Sequence, residues 1–342
     1  LTYKVGVPMQ HGLNALLQRF SEYCMVYTTG WPDWLESLIF NGIIGGAGFV
    51  LTFLPVLVIF FAVMALLEDI GYMARAAFVM DRIMHLVGLH GKSFIPMFLG
   101  FGCNVPAVLG ARIIETQKAR MITLLLIPFV PCTARLAVLT LVSAAIFGPN
   151  AAYVAWSIVV LNIAVLGIVG SLLSKNLREQ DAPFIMKLPI YHTPDVKTIA
   201  TVIWARTLSF LRNAGTVILG VSVIIWFLSY FPTGKVEDSL LASFGKLLQP
   251  LGIPLGLDWK MITALLTGLV AKENVVATLG VLFSVGREGL TDVLPVIMSH
   301  PSAAAFLVVM MLFIPCAGTA AVLKTEMNNN KWFYASIVMT LL

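Results

Sequence analysis

Long apolar stretches without charged residues constrain this chain more than any other feature of its sequence. Five of them contain no Asp, Glu, Lys or Arg: residues 45–67, 93–111, 151–174, 214–234 and 301–323. Three more are interrupted by charges or cut short, at residues 121–150, 261–286 and 332–342. A helix that crosses the hydrocarbon core of a bilayer needs roughly 20 apolar residues. The sequence therefore predicts an all-α membrane protein with about eight transmembrane helices.

The balance of charged residues supports the same class and orients the chain in the membrane. Hydrophobic residues make up 59% of the 342 residues and charged residues 11%, whereas soluble domains carry about 25% charge. Membrane lipid is thus an expected partner. The net charge of +5 comes from basic residues between the apolar stretches, so no nucleic acid partner is expected. By the positive-inside rule, residues 112–120 and 175–212 face the cytoplasm and residues 231–259 the outside.

Two segments of the first half recur in the second half. Residues 129–139 match residues 313–323 at six of eleven positions, and residues 104–110 match residues 274–280 at five of seven. Duplicated halves are common in transporters, where the substrate site lies at the repeat interface. The count of crossings makes the two copies parallel, and it places the basic segment 71–92 outside, against the charge rule. If residues 93–111 form a re-entrant hairpin, the copies are inverted instead.

Prolines and glycines inside the apolar stretches predict broken helices. Proline removes a backbone donor and frees a carbonyl group, which in lipid must find another partner. We expect breaks near residues 102–106, 128–133 and 315–318, lining a cavity. Simple proline kinks, which are common in membrane helices, are the alternative interpretation.

Three cysteines lie at these predicted breaks and are candidate metal ligands. Cys103 is flanked by glycines, while Cys132 and Cys316 follow prolines at matching repeat positions. Sulfur ligands argue against Mg²⁺ or Ca²⁺ and for Fe²⁺, Zn²⁺ or Cu⁺. A single buried cysteine is more often a packing residue, so that alternative stays open. The four cysteines of the chain do not predict a disulfide framework.

Ionisable residues inside apolar stretches are costly and are therefore functional candidates. Glu273 is predicted in mid-span, and with Asn104 it completes the proposed metal site. A helix would direct Lys272 about 100° away from Glu273, so the two are not expected to pair. A secondary group of candidates for a metal path or for gating comprises Glu68, Asp69, Asn274, Lys272 and Arg135. Glu68 and Asp69 could equally face water at the membrane interface.

Several polar motifs, in order along the chain, resemble the FeoB family of prokaryotic ferrous iron transporters. Residues 67–82, 91–97, 100–106 and 128–135 are similar to the first gate region, residues 188–194 to the cytoplasmic linker, and residues 268–276 and 315–316 to the second gate. The resemblance implies Fe²⁺ transport across the cytoplasmic membrane by a multi-pass transporter rather than an enzyme. It further implies an N-terminal domain that binds GTP and Mg²⁺, expected outside this chain. Small accessory Feo proteins and a homo-oligomer are further expected partners.

The predicted organisation follows from the repeat and this resemblance. Residues 1–44 form an amphipathic segment before the membrane, residues 45–174 a first gate half, residues 175–213 a cytoplasmic linker, and residues 214–342 a second gate half that is incomplete at its C-terminus. The chain is expected to be part of a longer protein.

Two other functions fit parts of the pattern. A nucleoside-type secondary transporter could also use duplicated gate helices, and its cysteines would then be incidental. A membrane thiol oxidoreductase would use cysteine chemistry, but closely spaced cysteine pairs do not occur.

Overall fold

The computed structural model describes residues 7–27, 32–86, 89, 91–176, 194–231, 239–283 and 289–341. All regular secondary structure in these ranges is helical, which confirms the predicted class. The first helices are α1 (Val7–Tyr27), α2 (Asp33–Ser37), α3 (Gly45–Asp69), α4 (Tyr72–Leu86), α5 (Phe94–Gly102), α6 (Asn104–Gly110), α7 (Gln117–Leu126), α8 (Thr133–Phe147) and α9 (Ala151–Asn176). They are followed by α10 (Val196–Phe210), α11 (Thr216–Tyr230), α12 (Leu240–Gly252), α13 (Trp259–Thr267), α14 (Asn274–Leu282), α15 (Leu290–Ile297), α16 (His300–Leu312), α17 (Ala317–Met327) and α18 (Asn330–Leu341).

Four helical stretches of the described chain are long and apolar enough to cross a membrane: Trp34–Asp69, Gln117–Lys175, Val196–Tyr230 and His300–Met327. A fifth candidate is the pair Leu240–Leu255 and Trp259–Thr267, which is bent by 111°. Within Gln117–Lys175, a short turn at Gly148, with φ 49°, reverses the chain between α8 and α9. The predicted count of about eight spans is not confirmed.

One apolar stretch that was predicted to cross the membrane forms a hairpin instead. Lys92 and Glu115, which flank residues 93–111, form an ion pair with Nζ 2.8 Å from Oε1. Residues 93–111 therefore begin and end at the same end of the molecule, and α5 packs directly against α6. The first arm, α5, has nine residues and is about 13 Å long, close to half of a hydrocarbon core about 30 Å thick.

The second half contains a matching hairpin. Lys260, at the start of α13, donates a hydrogen bond of 2.9 Å to the carbonyl of Leu282, the last residue of α14. Residues 261–282 therefore also turn back on themselves, with their tip near Lys272; residues 284–286 of the predicted stretch lie outside the described residues. The base lies beside the start of α16, because a Cβ added to Gly256 would come 2.5 Å from the Oγ of Ser302.

The two broken spans run in opposite directions. Arg120, near the start of α7, bonds Glu326 near the end of α17, and the ring of Phe147 at the end of α8 lies 5.4 Å from that of His300 at the start of α16. Because α7–α8 and α16–α17 are the repeat-related segments, the repeat is inverted. The parallel arrangement that the crossing count predicted is wrong, since it treated both hairpins as spans.

The inverted arrangement also removes the conflict with the charge rule. A Cβ added to Gly91 would meet the Asp81 carboxylate, so α4 lies beside the base of the first hairpin. The backbone N–H of Asp195 donates to Asp69 Oδ2 at 3.0 Å, which brings the start of α10 to the same end. Helix α4, residues 91–92, residues 112–120 and the start of α10 thus share one end of the molecule, called here the basic end.

Candidate functional site

Four helices begin at one place in the interior, each directly after a break in a longer helical segment. The residue before each helix is Cys103 for α6, Cys132 for α8, Glu273 for α14 and Cys316 for α17. The breaks at residues 102–106, 128–133 and 315–318 confirm the prediction from proline and glycine. Each cysteine is extended in φ and ψ, so the chain changes direction at the sulfur-bearing residue.

The third break along the chain corrects the sequence interpretation of residues 268–273. Lys272 and Glu273 were predicted on a continuous helix, but α13 ends at Thr267 and the chain forms turns up to Asn274. The repeat alignment of Asn274 with Asn104 was the signal that could have predicted this break. Consequently, the helical angle of about 100° between the two charged side chains does not apply.

A cavity of about 80 Å³ lies between the four breaks, enough for several water molecules, since one needs about 10–15 Å³. The predicted site residues that line it are Cys103, Asn104, Cys132, Arg135, Lys272, Glu273 and Cys316. Apolar side chains from α3, α10 and α11 cover the remaining sides, including Val50, Phe210 and Ile218. The structure therefore brings together residues separated by up to 213 positions in the chain.

Hydrogen bonds join the breaks to one another. The Thr133 hydroxyl donates to the Gly102 carbonyl at 2.9 Å, which links the first break to the second. The backbone N–H of Ala317 donates to the Leu269 carbonyl at 2.7 Å, which links the third break to the fourth. Such bonds satisfy carbonyl groups that the broken helices free in a medium without water.

Arg135 links the second break to the fourth. Its side chain is 1% exposed, and its Nη1 and Nη2 donate to the carbonyls of Pro128 and Phe313 at 2.6 and 2.8 Å. These two hydrogen bonds satisfy two of the five N–H donors and offset part of the cost of burying a guanidinium group. Arg135 therefore has a structural role, although it also lines the cavity.

Asn104 presents an acceptor without a partner. It is 4% exposed, and its Nδ2 donates to the Val130 carbonyl at 3.4 Å. Its Oδ1 is buried without a hydrogen bond from any described residue. An unsatisfied amide oxygen costs about 1–3 kcal/mol, which a bound cation or water in the cavity would offset.

Two charged side chains of the third break face the cavity. Lys272 is 3% exposed, and its ammonium lies 5.4 Å from the centre of the Phe313 ring, in a cation–π contact. Glu273 is half-buried and supplies a carboxylate beside it. The cavity lining thus combines two cationic side chains, Lys272 and Arg135, with one carboxylate, three sulfurs and the amide of Asn104.

The ligands are not yet assembled around one point in this conformation. Within the described ranges, no three His, Cys, Asp or Glu side chains are close enough to hold one metal ion. At Cys316, the sulfur lies 3.2 Å from the Thr319 hydroxyl. Simultaneous binding by all three cysteines would therefore require the breaks to move.

The other candidates lie outside the cavity lining. Glu68 pairs with Arg206 at 2.6 Å, and Asp69 accepts the N–H of Asp195. Both are about 28 Å along α3 from Val50, at the basic end. The hydrogen bond from Thr198 to the Asp195 carboxylate, at the start of α10, holds the pKa of Asp195 below its ordinary value. Asn274 begins α14 but is not part of the lining.

Three residues with specific contacts were missed by sequence reasoning. The hydroxyls of Thr133 and Thr319 contact the Gly102 carbonyl and the Cys316 sulfur. The position of Thr133 directly after Cys132 could have indicated the first of these contacts. Glu326 binds two arginines at the basic end. A lone glutamate near a helix end carries no sequence signal for such a contact.

Two protein-family models match most of the chain. The Gate family, described as "Nucleoside recognition", matches residues 50–147 and 211–330, so one family model matches both repeat halves. The family described as "Ferrous iron transport protein B C terminus" matches residues 155–206. Comparison with solved structures finds no match.

Curated relatives agree with these families. The "Fe(2+) transporter FeoB" of Staphylococcus aureus (strain MSSA476) is 40% identical over 349 residues, covering 98% of this chain and 52% of the relative. That of Methanocaldococcus jannaschii is 39% identical, covering 90% of this chain and 47% of the relative. A "Fe(2+) transport protein A/Fe(2+) transporter FeoB fusion protein" of Porphyromonas gingivalis is 37% identical, covering 89% and 42%. The chain spans about half the length of the curated relatives it matches. It belongs to the Gate family and, within that family, to the FeoB proteins.

Proposed function

We propose that this chain forms the membrane pathway of a ferrous iron transporter in the prokaryotic cytoplasmic membrane, with Fe²⁺ as its substrate. The observation that carries the proposal is the single cavity lined by Cys103, Cys132 and Cys316 at three helix breaks. Sulfur suits Fe²⁺ and disfavours Mg²⁺ and Ca²⁺. Glu273 and the Asn104 oxygen would add a charged and a neutral oxygen ligand.

Local electrostatics favour a cation held by sulfur at this position. Cys132 and Cys316 directly precede α8 and α17, where the helix dipole stabilises negative charge on a ligand. Sulfur that carries negative charge would offset the repulsion between Fe²⁺ and the Lys272 ammonium. Because the described ligands do not form a closed cluster, binding is expected to be weak and exchangeable, as transport requires.

The two gate halves, residues 45–174 and 214–342, would move against each other around this cavity, with the linker 175–213 between them. By the positive-inside rule, the basic end, which includes the start of α10, would face the cytoplasm, and the end that carries Lys246 would face outside. Residues 177–193 of the predicted linker and residues 232–238 of the predicted outer loop lie outside the described residues. GTP and Mg²⁺ would act through a GTP-binding domain supplied in cis or in trans. The fusion of transport protein A to a relative supports small Feo proteins as accessory partners. A homo-oligomer is compatible with this architecture.

Uptake of radioactive Fe²⁺ into proteoliposomes, with and without the GTP-binding domain, tests the proposal. Cys132→Ser and Cys316→Ser should lower uptake by at least about tenfold, since even outer-shell changes at metal sites cost 10–100-fold. Thr140→Ala, an exposed change on α8, is the matched control. Normal Fe²⁺ uptake by both serine variants would show that the cysteines only pack.

A nucleoside carrier is the second candidate, because the Gate family is described as "Nucleoside recognition". Excess nucleoside in the same assay distinguishes the two functions. Competition by nucleosides, together with nucleoside uptake that the serine variants retain, would replace the iron proposal. Fe²⁺ uptake that nucleosides leave unchanged supports it.

A further inference from the structure

Glu326 is a buried carboxylate bound by two arginines from the other repeat half. Its side chain is 4% exposed. Arg112 contacts Oε1 through both Nε, at 2.9 Å, and Nη2, and Arg120 donates from Nη2 to Oε2 at 2.7 Å. These three residues are called here the clamp. Both carboxylate oxygens are therefore occupied by charge-assisted hydrogen bonds, the stronger class of hydrogen bond.

The clamp joins elements that carry the cavity. Arg112 directly follows the first hairpin, Arg120 lies near the start of α7, and Glu326 lies near the end of α17. Along α17, Glu326 is seven residues, or about 10 Å, beyond the cavity-lining Thr319. Buried apolar side chains pack in one core around this part of α17 and the first hairpin: Val105, Val108, Val322 and Leu323. The clamp thus lies at the basic end, beyond a layer of apolar packing.

The clamp has no counterpart at the repeat-related positions. Continuing the repeat register places Val142 at the position of Glu326 and Leu282 at the position of Arg112. Neither side chain can form an ion pair. In an inverted repeat, the two ends of the pathway are otherwise built alike, so this difference distinguishes the basic end from the opposite end.

The clamp is also incompletely satisfied. Arg120 Nε is buried without a hydrogen-bond partner among the described residues. The Glu326 carboxylate is desolvated, whereas the side chains of Arg112 and Arg120 are 62% and 33% exposed, so solvent screening and desolvation leave the group little net stability. A contact with these properties is suited to separate and re-form during a conformational cycle.

We infer that Glu326, held by Arg112 and Arg120, is a latch that keeps the cavity closed toward the basic end in the resting protein. Opening the latch separates the first hairpin and α7 from α17 and exposes the cavity sulfurs on that side. The inference rests on the proposed transport function only for its effect on uptake. Its direct consequence is a change in the solvent accessibility of the Cys316 sulfur, and this change can be measured without iron.

The test measures labelling of Cys316 by a membrane-impermeant maleimide added separately to each face of vesicles containing the protein, with peptide mass spectrometry as the readout. Glu326→Gln should make Cys316 react severalfold faster from the face that carries the basic end and leave the rate from the other face unchanged. Arg112→Gln removes one arm of the clamp and should give a smaller increase. It also serves if Glu326→Gln fails to fold.

Glu115→Gln is the matched control, because Glu115 forms an ion pair with Lys92 at the same end but is 82% exposed. It should label at the wild-type rate. The inference is overturned if folded Glu326→Gln or Arg112→Gln labels no faster than wild type, or if Glu115→Gln accelerates labelling equally. Fe²⁺ uptake is measured in parallel. Faster labelling of Cys316 in Glu326→Gln, in a protein that takes up no Fe²⁺, would support the latch and contradict only the proposed iron transport.

Discussion

Arg135 in the first repeat donates a hydrogen bond of 2.8 Å to the backbone carbonyl of Phe313 in the second repeat. The same guanidinium bonds Pro128, so one side chain satisfies carbonyls at two breaks. Arg135→Met should leave both acceptors without a donor, at about 1–3 kcal/mol for each. Thermal unfolding of the purified protein in detergent measures the loss.

Arg135→Lys should restore only part of this stability, because an ammonium cannot span two acceptors as a planar guanidinium does. If Arg135→Met unfolds like the wild type but fails to transport, Arg135 acts on the substrate and the structural interpretation is wrong.

Glu273→Gln should reduce Fe²⁺ uptake while the protein stays folded, since the substitution keeps the shape and removes the negative charge facing the cavity. Glu273→Asp keeps the charge and should retain part of the uptake. Initial rates in proteoliposomes at several Fe²⁺ concentrations measure both variants, with Glu115→Gln as the surface control. Equal rates for Glu273→Gln and wild type would remove Glu273 from the site.

Lys272→Met should increase the affinity of the cavity for a divalent cation. The change removes one positive charge from the cavity and keeps an apolar stem against Phe313. Lys272→Arg retains the charge and is the control. Anaerobic Fe²⁺ titration of the detergent-solubilised protein gives the dissociation constants, and a weaker affinity in Lys272→Met would mean that the lysine helps to hold the ligands.

Gly102→Ala should destabilise the tip of the first hairpin. A Cβ at this position would lie 2.2 Å from the Phe60 ring on α3, so the ring or the hairpin must shift. Overpacking of this kind costs about 1–3 kcal/mol. The double variant Gly102→Ala/Phe60→Ala should recover part of the stability that Gly102→Ala loses. Thermal unfolding of the wild type, the two single variants and the double variant gives a double-mutant cycle. Additive losses would show that the two positions do not meet.

The inverted repeat places α4 and α12 on opposite faces of the membrane, whereas the parallel arrangement places both outside. A cysteine at exposed Arg82 on α4 should react with an impermeant reagent only from the cytoplasmic face. A cysteine at exposed Lys246 on α12 should react only from outside. Labelling of both positions from one face of intact cells would restore the parallel topology.

Residue type and spacing alone predict the helical class of this protein and the residues that line its candidate site. Apolar stretches free of charge require lipid around them. Proline beside cysteine at matching repeat positions predicts two of the helix breaks. Cys103, Cys132, Cys316, Asn104 and Glu273 were all chosen from residue type and position, and all line one cavity. The helical class and the breaks could be predicted because solvation cost and proline geometry are local properties of the chain, whereas metal binding by these residues stays a prediction.

Contacts between distant residues distinguish an apolar stretch that runs straight through from one that turns back on itself. Hydropathy is the same for a span and for a hairpin, and what separates them is a contact between flanking residues, such as Lys92 with Glu115. The inversion of the repeat, the break before Glu273 and the burial of Glu326 depend in the same way on partners distant in the chain. Such contacts form only when packing brings the elements together, so residue type alone cannot specify them.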